Sequence, residues 1–342
     1  VGMLNRMRPA LPQEVHDTTR HGSIAVFHTN GFRGQRRSGS GGHWTNDLPE
    51  ADARRVFNQC REYLTQNGWD FDAQKTKVLM LTHKVLANEQ GYPSFDKVFP
   101  YPDLFLKKED PYIKFFSERL EPACRAFENK KFGEMFAVLG ETSPRMSSPS
   151  DKKRWATTME QIIELRKTGT IGDVLDLIIA SVIPSLPDDV IKRERDAAGW
   201  EHPLDDATPE LIGRTRGLRA VRYAEMIALN TFLEGHSPFS TKHGVKGEEY
   251  ENVLVVLGRG WNKYDFDACL KLAANPHRLP ANRIEFYERN RNLFYVCCSR
   301  PRERLALLFT QQLSPEASQL LNAWFGHENV YDVGMGTFPQ TA

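Results

Sequence analysis

The chain has 342 residues, of which 40% are hydrophobic and 26% charged, a composition typical of a globular protein with a sizeable core. Its 45 basic and 44 acidic residues leave a net charge of +1, so a nucleic-acid site would need a local cluster of cations. The five cysteines include no CxxC spacing, which argues against a disulfide framework and a zinc site and predicts reduced, buried thiols in a cytoplasmic protein. The apolar runs are too short for a membrane span, and VGMLNRMRPALPQEV lacks the apolar stretch of a secretory signal.

An alternation of strand and helix patterns fills the N-terminal part of the chain. SIAVFH (Ser23–His28) predicts a strand, and the spacing of PEADARRVFNQCREYLTQNG predicts a helix that stops near Gly68. KVLMLTH (Lys77–His83) is a short apolar run typical of a strand that is buried on both faces. Strand, helix and strand in this order predict a parallel sheet covered by helices.

The segment GFRGQRRSGSGGHWTND follows the first predicted strand. It is rich in glycine, serine and arginine, which predicts a loop. A basic arm that binds nucleic acid and a mobile surface loop are both compatible with it, and the composition favours the surface loop.

A helical segment interrupts the alternating pattern. Apolar residues recur at helical spacing over four stretches, and Pro122 should kink or split the first of these helices. The stretches are 113–127, 155–165, 171–179 and Arg216–Leu233. We therefore predict a helical domain, 96–235, inserted into one discontinuous α/β domain, 1–95 and 236–342.

Four arginines lie at or near the start of the last of these predicted helices. They are Arg214, Arg216, Arg219 and Arg222. Helical spacing would place Arg219 and Arg222 on one face, where they could contact nucleic-acid phosphates. A solvated helix face, partly paired with Glu225, is the alternative interpretation.

The α/β pattern returns after the helical segment. NVLVVLG predicts a strand, a long loop follows, RIEFYERNRNLFYVCC predicts a helix, and RLALLFT predicts another strand. A polar loop with Thr241, His243, Gly247 and Glu249 lies just before NVLVVLG, near a probable strand end where α/β sheets bind ligands. A strand connection that is merely polar is the alternative.

Arg300 follows the predicted helix directly and precedes the last predicted strand. An arginine fixed at such a junction has a defined position and a planar fork that suits phosphate oxygens. The alternative is an arginine that hydrogen-bonds the carbonyl groups at the end of its own helix.

Two of these segments carry a family resemblance. TKHGVKGEEYENVLVV resembles motif V of the UvrD/Rep-type superfamily I DNA helicases, and ERNRNLFYVCCSRPRERLAL resembles motif VI of that family. KVLMLTHKVLA is similar to the segment that precedes the inserted helical domain in these proteins. The resemblance implies a RecA-like, P-loop-NTPase-type α/β domain with a parallel sheet, without its own P-loop and interrupted by a mainly α-helical inserted domain.

The resemblance also implies roles for individual residues. The implied contacts to single-stranded DNA are Thr241, His243, His83 and Lys84, and the implied contacts to the nucleotide are Gly247, Glu249 and Arg300. Glu249 would reach the ribose, and Arg300 would be the arginine finger on the γ-phosphate. The chain departs from the family pattern at His83, where an arginine is usual, and at Glu248, where an apolar residue is usual.

The sequence contains no GxxxxGK motif followed by serine or threonine, and no Asp-Glu metal-binding motif after a strand. The resemblance implies that ATP with Mg²⁺ is bound mainly by an upstream, N-terminal RecA-like domain of the same protein. The chain is therefore expected to be the C-terminal half of an ATP-dependent 3′–5′ helicase, inactive alone as an ATPase, with single-stranded DNA and a duplex junction as partners and no metal ligands of its own.

Two other classes of protein are alternatives to the helicase. A non-catalytic DNA-binding or interaction module could keep the fold without motor activity. A P-loop domain encoded upstream would favour the helicase over this alternative. A dinucleotide-dependent enzyme is weakly supported, because no GxGxxG motif follows a predicted strand.

Overall fold

The computed structural model describes residues 2–9, 12–14, 22–39, 44–80, 90–140, 146–203, 205, 208–235, 239–241, 249–258 and 264–339; for 239–241 it describes the backbone only. The chain divides into two compact units. The first comprises Val1–Leu86 and Gly235–Ala342, and the second comprises Ala87–Glu234. The α/β class with a RecA-like parallel sheet and a mainly helical insertion, predicted from the sequence, is confirmed.

The elements are numbered in chain order. The strands are β1 (Ser23–His28), β2 (Thr76–Met80), β3 (Phe239–Thr241), β4 (Tyr250–Leu257), β5 (Pro301–Phe309) and β6 (Val330–Asp332). The helices are α1 (Gly2–Met7), α2 (Glu50–Gln66), α3 (Phe95–Val98), α4 (Asp103–Leu106), α5 (Pro111–Phe115), α6 (Glu121–Glu128), α7 (Phe132–Leu139), α8 (Pro149–Thr168), α9 (Ile171–Ser181), α10 (Asp188–Ala198), α11 (Glu210–Arg219), α12 (Tyr223–Leu233), α13 (Phe266–Ala274), α14 (Ile284–Cys298) and α15 (Pro315–Phe325).

The six strands form one sheet in the order β3-β2-β4-β5-β1-β6, and every pair of neighbouring strands is parallel. The central strands are apolar on both faces because helices cover both sides, as the unbroken apolar runs predicted. Side chains from α13, α14 and α15 pack on one face. On the other face, the Tyr63 ring of α2 meets the Phe27 ring of β1 edge-on at a centroid distance of 5.7 Å.

Within its described residues, the second unit has helices and no extended strand, and it has its own aromatic and aliphatic core. Two of its helices begin at reciprocal capping boxes, formed by Ser148 with Asp151 at α8 and by Thr170 with Asp173 at α9. The first predicted helix is divided, since a π-helical turn, Phe116–Leu120, joins α5 to α6 just before Pro122. None of the helices in the described part of the chain combines the length and the apolar character that a membrane span requires.

The predicted helix at Arg216–Leu233 is wrong in its continuity. Two helices, α11 and α12, meet at a break at 220–222. The break forms because this segment hydrogen-bonds to the chain before α9: Ile171 N donates to Val221 O at 2.8 Å, and Tyr223 N donates to Gly169 O at 2.9 Å. The predicted long loop after β4 is also wrong in part, because it contains α13.

The arginine cluster of this region does not present the face predicted for nucleic-acid phosphates. Arg219 donates to Asp176 at 2.7 Å and to Glu194 at 2.5 Å, so its guanidinium lies between two carboxylates. Arg222 lies beyond the end of α11 and therefore shares no helical face with Arg219. The alternative pairing with Glu225 is not observed either, because that carboxylate accepts hydrogen bonds from Ser94.

All five cysteines are buried free thiols. Burial raises the pKa of Cys124 and of Cys269 from the ordinary value of 9.0 to about 12. Thiolate is the reactive form, so we expect the folded protein to resist a thiol-specific reagent at about pH 8 and all five thiols to react after denaturation. Fast labelling of any thiol in the folded chain would contradict this expectation.

The raised pKa values of Cys124 and Cys269 also affect stability. Because the folded pKa of each thiol is raised, the stability that these two groups contribute should fall as the pH rises from about 9 towards 12.

Candidate functional site

The junction between α14 and β5 fixes Arg300. Its Nε donates to Val296 O at 3.2 Å, and its Nη2 donates to Ser299 Oγ at 3.0 Å, so the half-buried guanidinium lies against the last turn of α14. Cations are favoured there because the carbonyl groups at a helix C-terminus carry partial negative charge. Arg300 therefore makes the helix-capping contact that was the alternative interpretation of this residue.

Glu249 lies beside this junction because β4 and β5 are adjacent. Tyr250 N donates to Arg300 O at 3.0 Å, which places the residue before β4 next to the residue before β5. Glu249 itself accepts a hydrogen bond at 3.2 Å from Nε of Arg302, and both side chains are more than half exposed. The sheet register thus brings two of the predicted nucleotide-contacting residues, Glu249 and Arg300, to one edge.

Arg302 was not predicted as part of this site. In the sequence, SRPRER places arginines at alternating positions at the start of a strand, where the period of two directs them to one side. That alternation was the available signal, but the pairing with Glu249 depends on the β4–β5 register. An exposed ion pair of this kind contributes only about 0–1 kcal/mol, so Arg302 can exchange Glu249 for another anion at little cost.

Thr241 lies at the opposite edge of the sheet. It ends β3 and is in register with Met80, which is in register with Val256 near the end of β4. From Tyr250 to Val256 the strand advances by about 20 Å at roughly 3.3 Å per residue. The sequence predicted Thr241 and Glu249 in one loop near a strand end; this is wrong for Glu249, which precedes the amino end of β4, whereas Thr241 lies at the carboxyl end of β3.

Several predicted contacts lie outside the described residues. They are His83, Lys84, His243 and Gly247, and only the backbone of Thr241 is described. Their predicted roles stay predictions. Within the described part of the chain, no group of three or more His, Cys, Asp and Glu side chains is arranged to hold a metal ion.

The chain is similar in part to a known protein. An alignment over 86 residues is 29% identical to the Gabija protein GajB of Bacillus cereus (strain HuB5-5), and it covers 24% of this chain and 12% of that protein's length. No family model matches the chain. The similarity fits a helicase-type relationship only coarsely, and it leaves the activity and partners of the whole protein to be proposed.

Proposed function

We propose that this chain is the second RecA-like domain, with its inserted helical domain, of an ATP-dependent 3′–5′ DNA helicase. The observation that supports the proposal is the separation of the predicted nucleotide contacts from a predicted DNA contact across the sheet. Glu249 and Arg300 lie together at one edge, and Thr241 lies at the other, about 20 Å away. Nucleotide and DNA would then bind to different edges of one rigid sheet.

At the first edge, Arg300 and Arg302 provide cations and Glu249 provides an exposed carboxylate. Guanidinium groups bind phosphate oxygens in a planar, bidentate way, and a carboxylate accepts hydrogen bonds from ribose hydroxyls. These residue types fit a nucleotide that is held mainly by a P-loop domain of the same protein, which would also supply the Mg²⁺ site. Arg300 would meet the charge that develops on the γ-phosphate.

A non-catalytic DNA-binding module is the second candidate. The hydrogen bonds of Arg300 to Val296 and Ser299, and the pairing of Glu249 with Arg302, favour it, because both predicted nucleotide contacts already have partners within the chain. The two candidates differ in the expected effect of Arg300 on ATP hydrolysis, and they agree on DNA binding.

DNA binding by the chain should be weak, independent of sequence and steeply dependent on salt, because phosphate contacts release counterions. Thr241→Ala combined with His243→Ala should weaken binding of a labelled single strand about tenfold, measured by fluorescence anisotropy across a salt series. Thr65→Ala with His202→Ala makes the same two changes at exposed positions elsewhere and should leave the affinity unchanged. Equal affinities of the two double variants would contradict the DNA role of the Thr241 edge.

A further inference from the structure

The loop between β1 and α2 is built around Arg36. Its Nη1 donates to the backbone oxygen atoms of Asn46 and of Thr310, each at 3.1 Å, and its Nη2 donates to Thr29 O. One guanidinium therefore joins the start of the loop, its returning arm and the chain just beyond β5. Arg36 is a structural residue of the loop rather than a free cation on its surface.

The two arms of this loop also pair with each other. Arg37 N donates to Asp47 O, and Asn46 N donates to Arg37 O, both at 2.9 Å. Asp47 forms an antiparallel bridge with Gln311, beyond the end of β5. The described arms, 31–39 and 44–49, are thus held as a hairpin stem against the sheet, which the glycine- and serine-rich sequence did not predict.

Trp44 has an unusual conformation in this hairpin. Its φ is +59°, in the left-handed region that bulky residues rarely adopt and that occurs preferentially at functional sites. The guanidinium carbon of Arg37 lies 4.1 Å from the centre of the Trp44 ring, a close cation–π contact. Both side chains are partly exposed, so they present a planar, positively charged stack to the solvent.

The described residues of the hairpin also carry more basic than acidic side chains. Arg33 is exposed, and within the described part of the chain neither Arg33 nor Arg37 forms an ion pair. The nearby carboxylates, Asp47 and Asp332, instead act on Arg36, where they oppose the lowering of its pKa by burial. Two cations and one indole are therefore left on the outer part of the hairpin.

The hairpin lies at the same edge of the sheet as Thr241. It follows His28 at the carboxyl end of β1, and Thr241 is at the carboxyl end of β3, in a sheet whose strands are all parallel. Four strand intervals separate β1 from β3, or about 19 Å at roughly 4.8 Å each. A single strand laid along this edge would therefore meet both positions.

We propose that the hairpin is a second contact for single-stranded DNA, in which Arg33 binds a backbone phosphate and the Arg37–Trp44 stack supports a base. The proposal rests on the proposed function, since it extends the path that begins at Thr241. Stacking on aromatic and guanidinium planes tolerates every base, because each base has a π-face, and a translocating protein needs that tolerance.

The test measures binding of labelled oligo(dT) of about 15 nucleotides, a length suited to single-strand sites, by anisotropy across a salt series. We expect Trp44→Ala to weaken binding about tenfold and Arg33→Ala to reduce the salt slope by about 0.7. DNA should quench part of the tryptophan fluorescence, and Trp44→Phe should abolish that part. Arg37→Lys keeps the charge without the planar group, so it should weaken binding by less than Trp44→Ala.

Arg304→Ala is the matched control, because Arg304 lies near the opposite edge, where it donates to Gly68 O. Hairpin variants that bind oligo(dT) as tightly as the control, with intact circular dichroism, would overturn the hairpin proposal while leaving the Thr241 contact in place. A loss of oligo(dT) affinity in Thr241→Ala with His243→Ala but in none of the hairpin variants would also overturn the hairpin proposal. Losses confined to the hairpin variants would support the hairpin and remove the Thr241 contact. A hairpin that contributes only to binding of oligo(rU) would overturn the assignment to DNA.

Discussion

Arg300→Ala should lower the DNA-stimulated ATPase rate of a protein that contains this chain and a P-loop domain by a factor on the order of 10³ to 10⁵. The loss corresponds to about 4–7 kcal/mol of transition-state stabilisation. It is expected because Arg300 is fixed between α14 and β5, beside Glu249, at an edge where its guanidinium can meet charge on a transferred phosphoryl group. Steady-state phosphate release in the presence of single-stranded DNA measures it.

Arg300→Lys should fail nearly as badly, since an ammonium group cannot reproduce the planar fork. Arg283→Ala is the matched control: Arg283 precedes the other end of the same helix and lies 4.2 Å from the centre of the Phe286 ring. That variant should keep its ATPase rate. DNA affinity should not change in any of the three variants, because Thr241 lies at the opposite edge of the sheet.

Each other outcome has a definite meaning. A variant that keeps its ATPase rate but loses DNA would reverse the roles proposed for the two edges. A variant that unfolds would assign Arg300 to its contacts with Val296 and Ser299, the helix-capping role. Full ATPase activity and full DNA affinity in folded Arg300→Ala would favour the non-catalytic module.

The four inner strands of the parallel sheet were predictable because they contain short apolar runs between helical patterns, whereas β6, with three residues, was not predicted. The break between α11 and α12 was not predictable, because it depends on two backbone hydrogen bonds, from Ile171 N to Val221 O and from Tyr223 N to Gly169 O, between segments some fifty residues apart in sequence. Periodicity records the local pattern of burial, whereas such pairings depend on the tertiary fold.

The site shows the same limit. The position of Arg300 between a helix and a strand was predictable, and so was the position of Glu249 just before a strand. The partner of Arg302 was not, because it follows from the β4–β5 register. The pairing between the two arms of the hairpin was not predictable from a composition rich in glycine and serine, because it depends on the hydrogen bonds of Arg36 to distant backbone atoms.

The helical unit contains a buried ion pair whose loss should destabilise it strongly. Glu121 is 2% exposed and accepts bonds from Arg166 Nε at 2.9 Å, from Arg166 Nη2 at 2.6 Å and from the Tyr223 hydroxyl at 2.8 Å. Burial lowers the pKa of Arg166, but its bonds to Glu121 outweigh this and hold that pKa above its ordinary value. The guanidinium therefore stays charged, and removal of Glu121 would leave it buried without its main partner.

Glu121→Ala should reduce the free energy of unfolding of the helical unit by about 3–5 kcal/mol, the usual cost of breaking a buried pair on one side. Urea denaturation followed by far-UV circular dichroism measures it. Glu164→Ala removes an exposed carboxylate that pairs with Lys167 and should cost less than about 1 kcal/mol. Replacing all three polar partners together, by Glu121→Leu, Arg166→Met and Tyr223→Phe, should recover most of the loss, because no charge of the buried network is then left unpaired and Glu128, which also pairs with Arg166, is 44% exposed. If Glu121→Ala costs no more than Glu164→Ala, the network contributes no more than a surface pair and the buried charge must be solvated in another way.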